Sequence, residues 1–90
     1  MITITERAKR ALRKLLHTKV DLPEGRLRLI DRGRGKLGLG IDIETSGDEL
    51  VKYGNETILV IERGLNQNLK GVTLDVENGL EGPELIIYDK

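Results

Sequence analysis

Two stretches of alternation face each other across a glycine-rich joint, and they set what this chain can fold into. Arg26-Leu27-Arg28-Leu29-Ile30-Asp31 alternates polar and apolar residues. After the joint, Leu37, Leu39, Ile41 and Ile43 alternate with Gly38, Gly40, Asp42 and Glu44. A period of two places one set of side chains on a single face of a strand, so both stretches read as half-buried β-strands. The joint, Arg32-Gly33-Arg34-Gly35-Lys36-Leu37-Gly38-Leu39-Gly40, packs four glycines and three cations between them. Glycine allows positive φ and close approach of other groups, which suits a tight turn or a bulge.

Further strand signals follow downstream. Leu50-Val51-Lys52-Tyr53 and Thr57-Ile58-Leu59-Val60-Ile61 flank Gly54-Asn55, a hairpin signal. Val72, Leu74 and Val76 alternate with Thr73, Asp75 and Glu77, Asn78-Gly79 makes a turn, and Pro83 leads into a last edge strand, Leu85-Ile86-Ile87-Tyr88. Two segments break the rule. Ala8, Ala11, Leu12, Leu15 and Leu16 recur at helical spacing behind a short strand, Ile2–Thr5, with Thr5 placed to cap the helix and Glu6 in its first turn. Leu65 and Leu69 predict a second, short helix within Glu62–Lys70, closed by Gly71. The order predicts a single α+β domain over residues 1–90, mostly β, rather than a repeated βαβ unit.

Tyr53 and Tyr88 are the only aromatics, so the core is aliphatic. The chain has no cysteine, which removes disulfides, thiolate catalysis and thiolate metal sites together. No apolar run approaches a membrane span, and the N-terminal residues lead straight into the helical pattern, so a cytoplasmic protein is expected. The net charge of zero conceals an asymmetry: residues 1–36 hold 11 Lys/Arg against 4 acids, and residues 37–90 hold 4 against 11. Such polarity favours head-to-tail association or a charged partner, or it is neutralised internally on folding.

Gly33-Arg34-Gly35-Lys36-Leu37-Gly38 spells the dinucleotide-binding string G-x-G-x-x-G. That chemistry needs the glycines to open a helix, and here they open a strand, so the match is accidental. The loop can still offer a small-anion site built from Arg32, Arg34, Gly35 and Lys36 with backbone amides. The plainer account, a bulged turn with solvated cations, is preferred. A nucleic-acid surface lacks aromatics for stacking and meets the acidic half of the chain. His17, the one histidine, sits near a helix C-terminus where its charge complements the dipole. Asp42, Glu44, Asp48 and Glu49 match no calcium loop. Nothing in the sequence supports catalysis.

Taken in order, these segments resemble the HesB-like family, the A-type iron–sulfur cluster carriers of iron–sulfur biogenesis. The likeness is carried by Ile2-Thr3-Ile4-Thr5-Glu6-Arg7-Ala8 before the helix, by Gly25-Arg26-Leu27-Arg28-Leu29 leading into the glycine loop, by Gly47-Asp48-Glu49, and by Leu69-Lys70-Gly71-Val72-Thr73-Leu74-Asp75-Val76. It implies a mixed-sheet pseudo-barrel with an N-terminal helix and one short second helix, assembling as a dimer or higher oligomer. It also places the family's cluster-ligating cysteines at Lys36, Glu81 and Pro83, so all three thiolates are absent. The expected protein is a cysteine-less, non-catalytic interaction domain with no cofactor, an accessory to cluster assembly. The alternative is an anion-binding protein using loop 32–40.

Overall fold

Thr5 starts the first helix as its residue type predicts: its hydroxyl oxygen accepts the Ala8 amide proton at 3.0 Å and its backbone is extended. The helix, α1, runs over Glu6–Lys19 and buries Ala8, Leu12 and Leu16 while its cationic face stays in solvent. Burying Leu12 and Leu16 contributes roughly 2 kcal/mol each. These details come from a computed structural model, which describes residues 2–80 and 82–88.

Seven strands surround α1. They are β1 (Thr3–Ile4), β2 (Gly25–Gly33), β3 (Lys36–Ile43), β4 (Glu49–Tyr53), β5 (Glu56–Ile61), β6 (Thr73–Gly79) and β7 (Gly82–Tyr88). A second helix, α2 (Arg63–Asn68), lies between β5 and β6. It is capped by Glu62, whose carboxylate accepts the amides of Gly64 and Leu65. The alternating stretches thus form strands where the sequence predicts them, with ends shifted by a few residues.

The strands form two mixed sheets, in the orders β1-β6-β7 and β3-β2-β5-β4. Hairpins make the antiparallel pairs β2/β3, β4/β5 and β6/β7. Parallel pairing joins distant segments instead: Thr3 lies beside Thr73, and Leu27 beside Leu59. The two sheets remain separate ladders, and β3 and β7 are both edge strands, the edge position that Pro83 signals for β7.

One aliphatic core joins the two sheets and α1. It holds Ile2, Ile4, Leu12, Leu27, Leu29, Val51, Ile58, Leu59, Ile61, Leu74 and Val76, among others, with Leu65 of α2 and Leu69 at its C-terminal end packed against it. β5 is its centre, with Ile58 through Ile61 fully buried. The apolar face of β3 is covered only at its start: Leu37 and Leu39 pack against the core, whereas Ile41 and Ile43 are 58% and 52% exposed.

Two buried carboxylates pin the loops to this frame. Arg28 of β2 donates to both oxygens of Asp48 at 3.0 and 2.7 Å and to Asp42 of β3 at 2.9 Å. Arg28 therefore holds the Asp48 carboxyl down at about 2, against the opposing effect of its burial. Asp75 of β6 accepts from Arg7 and from the Thr5 hydroxyl, and these bonds hold it well below the usual carboxylate range.

Candidate functional site

The glycine joint is a hairpin tip. Gly33 pairs with Lys36, leaving Arg34 and Gly35 as a two-residue loop with φ of 55° and 75°. Positive φ at both central residues is the type I′ geometry, whose twist matches that of paired strands. Just before it the register shifts between Asp31 and Gly33, and the Gly33 amide donates to the Asp31 carboxylate at 2.8 Å. Gly33 itself has a φ of 83°. The bulged turn expected from the glycines is what the chain forms.

The cations of this tip address different surfaces. Arg32 lies across Gly38, so that a Cβ there would stand within 2.1 Å of its Nε. Arg34 and Gly35 border a pocket of about 330 Å³ against α2, floored by Leu65, Leu69, Val72 and Ile87. Lys36 borders a separate cleft with Leu37 and Leu39 of β3 and Pro83, Leu85 and Ile87 of β7. Gly35 lines both depressions. Lys36 and Pro83, remote in sequence, thus share one cleft between the two edge strands. Glu81 lies outside the described residues.

That cleft does not suit an iron–sulfur cluster. Its positions 36 and 83 carry an ammonium, which only donates hydrogen bonds, and a proline ring. Clusters are held by thiolates, with imidazole as the known substitute, and the chain has no cysteine and one histidine, on α1. Among the described residues no three acids or imidazoles gather closely enough to hold a metal ion.

A second constellation escaped the sequence reading. His17, near the end of α1, does more than complement the helix dipole: its Nε2–H donates to Glu56 at the start of β5, at 2.6 Å. Arg13, one turn earlier, donates to the other Glu56 oxygen at 3.3 Å and stacks 5.6 Å from the centre of the Tyr53 ring. The His17 hydrogen bond, outweighing partial burial and reinforced by Arg13, holds the Glu56 carboxyl below its usual range. Arg26 completes the group from β2. Its Nη1 donates to the carbonyls of Pro23 and Gly25, at 3.0 and 2.9 Å. Its Nε is buried with no acceptor, the one such side-chain atom among the described residues. Arg13, Arg26, Tyr53 and Glu56 line one depression with Pro23 and the Gly54-Asn55 turn. The helical spacing of Arg13 and His17 was visible in the sequence, but nothing local ties them to Glu56 or Arg26.

Among the described residues no helix is long and apolar enough to cross a membrane. No family model and no curated relative matches the sequence. The fold does match solved structures. It is similar to IscA solved with its [2Fe-2S] cluster, at 18% identity and a TM-score of 0.64, covering 99% of this chain and 85% of that one. It is likewise similar to Escherichia coli SufA, described as involved in biosynthesis of iron–sulfur clusters, at 16% identity and a TM-score of 0.69, covering 98% and 84%. At this identity the likeness establishes architecture, and the mixed, mostly β arrangement with one long and one short helix is the one that the sequence motifs imply. The chain has the HesB-like fold of the A-type iron–sulfur carriers, built without a single cysteine.

Proposed function

We propose that this protein is a non-catalytic interaction domain on a cluster-carrier scaffold, an accessory to iron–sulfur cluster assembly that works through protein contact and carries no cluster of its own. The observation behind this reading is a conjunction: full-length likeness to IscA and SufA in a chain with no thiol. Cluster transfer needs labile thiolate ligation, and the cleft that Lys36 and Pro83 share offers none. What the scaffold retains is a surface, with β3 and β7 edges beside one another's cleft and charge divided between the two parts of the sequence. Such a surface fits contact with a protein of the assembly machinery or with a second copy of the chain, in the cytoplasm.

The test is anaerobic reconstitution of the wild-type protein with iron and sulfide, followed by desalting and assay of both elements. The reading expects colourless protein with neither element in stoichiometric amount. Stable retention of a cluster overturns it. The exposed hairpin cations Arg32, Arg34 and Lys36, with Gly35, support the second reading of an anion-binding loop through their charge alone, since they border different surfaces.

A further inference from the structure

Away from the hairpin tip, α1, the start of β2 and the β4–β5 hairpin enclose the depression lined by Arg13, Arg26, Tyr53 and Glu56. Its charges are unevenly paired. Glu56 is satisfied by His17 and Arg13. Arg26 has no carboxylate partner among the described residues, in contrast to Arg7, Arg13 and Arg28. It is also half-buried, which makes an unpaired positive charge costly. Among the described residues its Nη1 is spent on two backbone carbonyls, its Nε is orphaned, and Nη2 has no acceptor.

Both guanidinium groups are held in place before any ligand arrives. The carbonyls of Pro23 and Gly25 fix Arg26. The Glu56 carboxylate and the Tyr53 ring hold Arg13, through Nε and through its π-face, leaving both Nη groups uncommitted among the described residues. Guanidinium groups fixed in this way offer their remaining donors, Nη2 of Arg26 and the Nη pair of Arg13, at reduced entropic cost. We propose that this depression is a binding site for a small organic acid, whose carboxylate is taken by Arg26 and Arg13 and whose carbon chain lies against Tyr53 and Pro23.

The count of charges selects a carboxylate over a phosphate. Arg13, Arg26 and Glu56 leave one net positive charge among the residues that line the depression. One carboxylate balances it. A phosphate dianion would exceed it and stand beside the Glu56 carboxylate.

Butyrate, a monocarboxylate, titrated into the 15N-labelled full chain, at constant ionic strength against chloride, tests the site. The expected result is saturable shifts of the Gly54, Asn55 and Thr57 amides with a dissociation constant on the order of 1 mM, as befits an open site. Arg26→Lys and Arg13→Lys keep the charge and lose the planar fork, and each is expected to weaken binding about tenfold. Arg13 lies on the exposed face of α1, so its variant reports on the site even if Arg26→Lys fails to fold. Shifts that do not saturate by about 50 mM, that fall elsewhere, or that survive both substitutions overturn the proposal. Tighter binding of inorganic phosphate than of butyrate overturns the choice of carboxylate. Tighter binding of a short free-acid peptide, relative to its amidated form and to butyrate, overturns the choice of a small molecule.

Discussion

Lys36 and Pro83 stand on edge strands of different sheets, β3 and β7, and line one cleft. If that cleft is a cargo site stripped of its ligands, restoring thiolates should restore cargo. The triple variant Lys36→Cys, Glu81→Cys, Pro83→Cys is expected to take up iron and sulfide under anaerobic reconstitution, read as colour and by assay of both elements. A variant that folds with wild-type circular dichroism and stays colourless would show that these positions do not descend from a ligand set.

Arg28 and Asp48 form a bidentate pair whose side chains are 16% and 3% exposed. Removing the cation leaves a buried carboxylate unmatched, so Arg28→Ala should cost about 3 kcal/mol in urea unfolding at neutral pH. The same pair gives acid sensitivity. The Asp48 carboxyl sits at about 2 when folded against 3.8 ordinarily, so the unfolded chain binds the proton more readily. Its stabilisation is complete above about pH 4 and fades as pH falls through about 2. Asp48→Asn should flatten that limb of the stability profile, and an unchanged slope would refute the assignment.

Thr5 serves two partners at once, accepting from the Ala8 amide and donating to Asp75 at 2.7 Å. Thr5→Ala removes a helix cap, a loss of about 1 kcal/mol, and also a bond to a half-strapped carboxylate. A double-mutant cycle with Asp75→Asn should therefore show a coupling above about 0.5 kcal/mol. Strict additivity would mean that the cap and the carboxylate act separately.

Gly35 and Gly38 are four-glycine-loop neighbours that should respond differently to alanine. Gly35 has a φ of 75° with open space around it, so Gly35→Ala is expected to cost about 1 kcal/mol through backbone strain alone. At Gly38 the obstacle is the guanidinium end of Arg32, which can swing away, so Gly38→Ala should fall within about 0.5 kcal/mol of wild type. Thermal melts of the two variants decide it, and equal losses would contradict the turn geometry.

Self-association is the last expectation, from the opposed charges of residues 1–36 and 37–90. Light scattering at low salt should give a mass above one chain, decreasing as salt screens the contact. A single-chain mass across that range would leave the asymmetry to internal pairing.

Much of this fold was legible because its signals are local. Period-two alternation placed β2, β3 and β6, short apolar runs bounded by turn residues placed β4, β5 and β7, helical spacing and a threonine cap placed α1, and glycines marked the hairpin tips. The absence of thiols needed no structure at all, and the short motifs carried the likeness that IscA and SufA bear out in architecture. What periodicity does not encode is which strand lies beside which. The parallel pairs β1/β6 and β2/β5 join segments with no turn between them to announce the contact, and they follow from burying one core against α1. The polar clusters are decided at the same level. Arg13, Arg26 and Glu56 each read as ordinary surface charge in the sequence, and only the packing of α1 beside β2 and β5 sets them around one depression and leaves Arg26 without a counter-charge among the described residues. The same packing sharpened the glycine joint, whose alternating strands bring Lys36 to a shared cleft with Pro83 while turning Arg32 and Arg34 elsewhere. A side chain's face is set by its own strand, but its neighbours are set by the whole chain's search for a dry core.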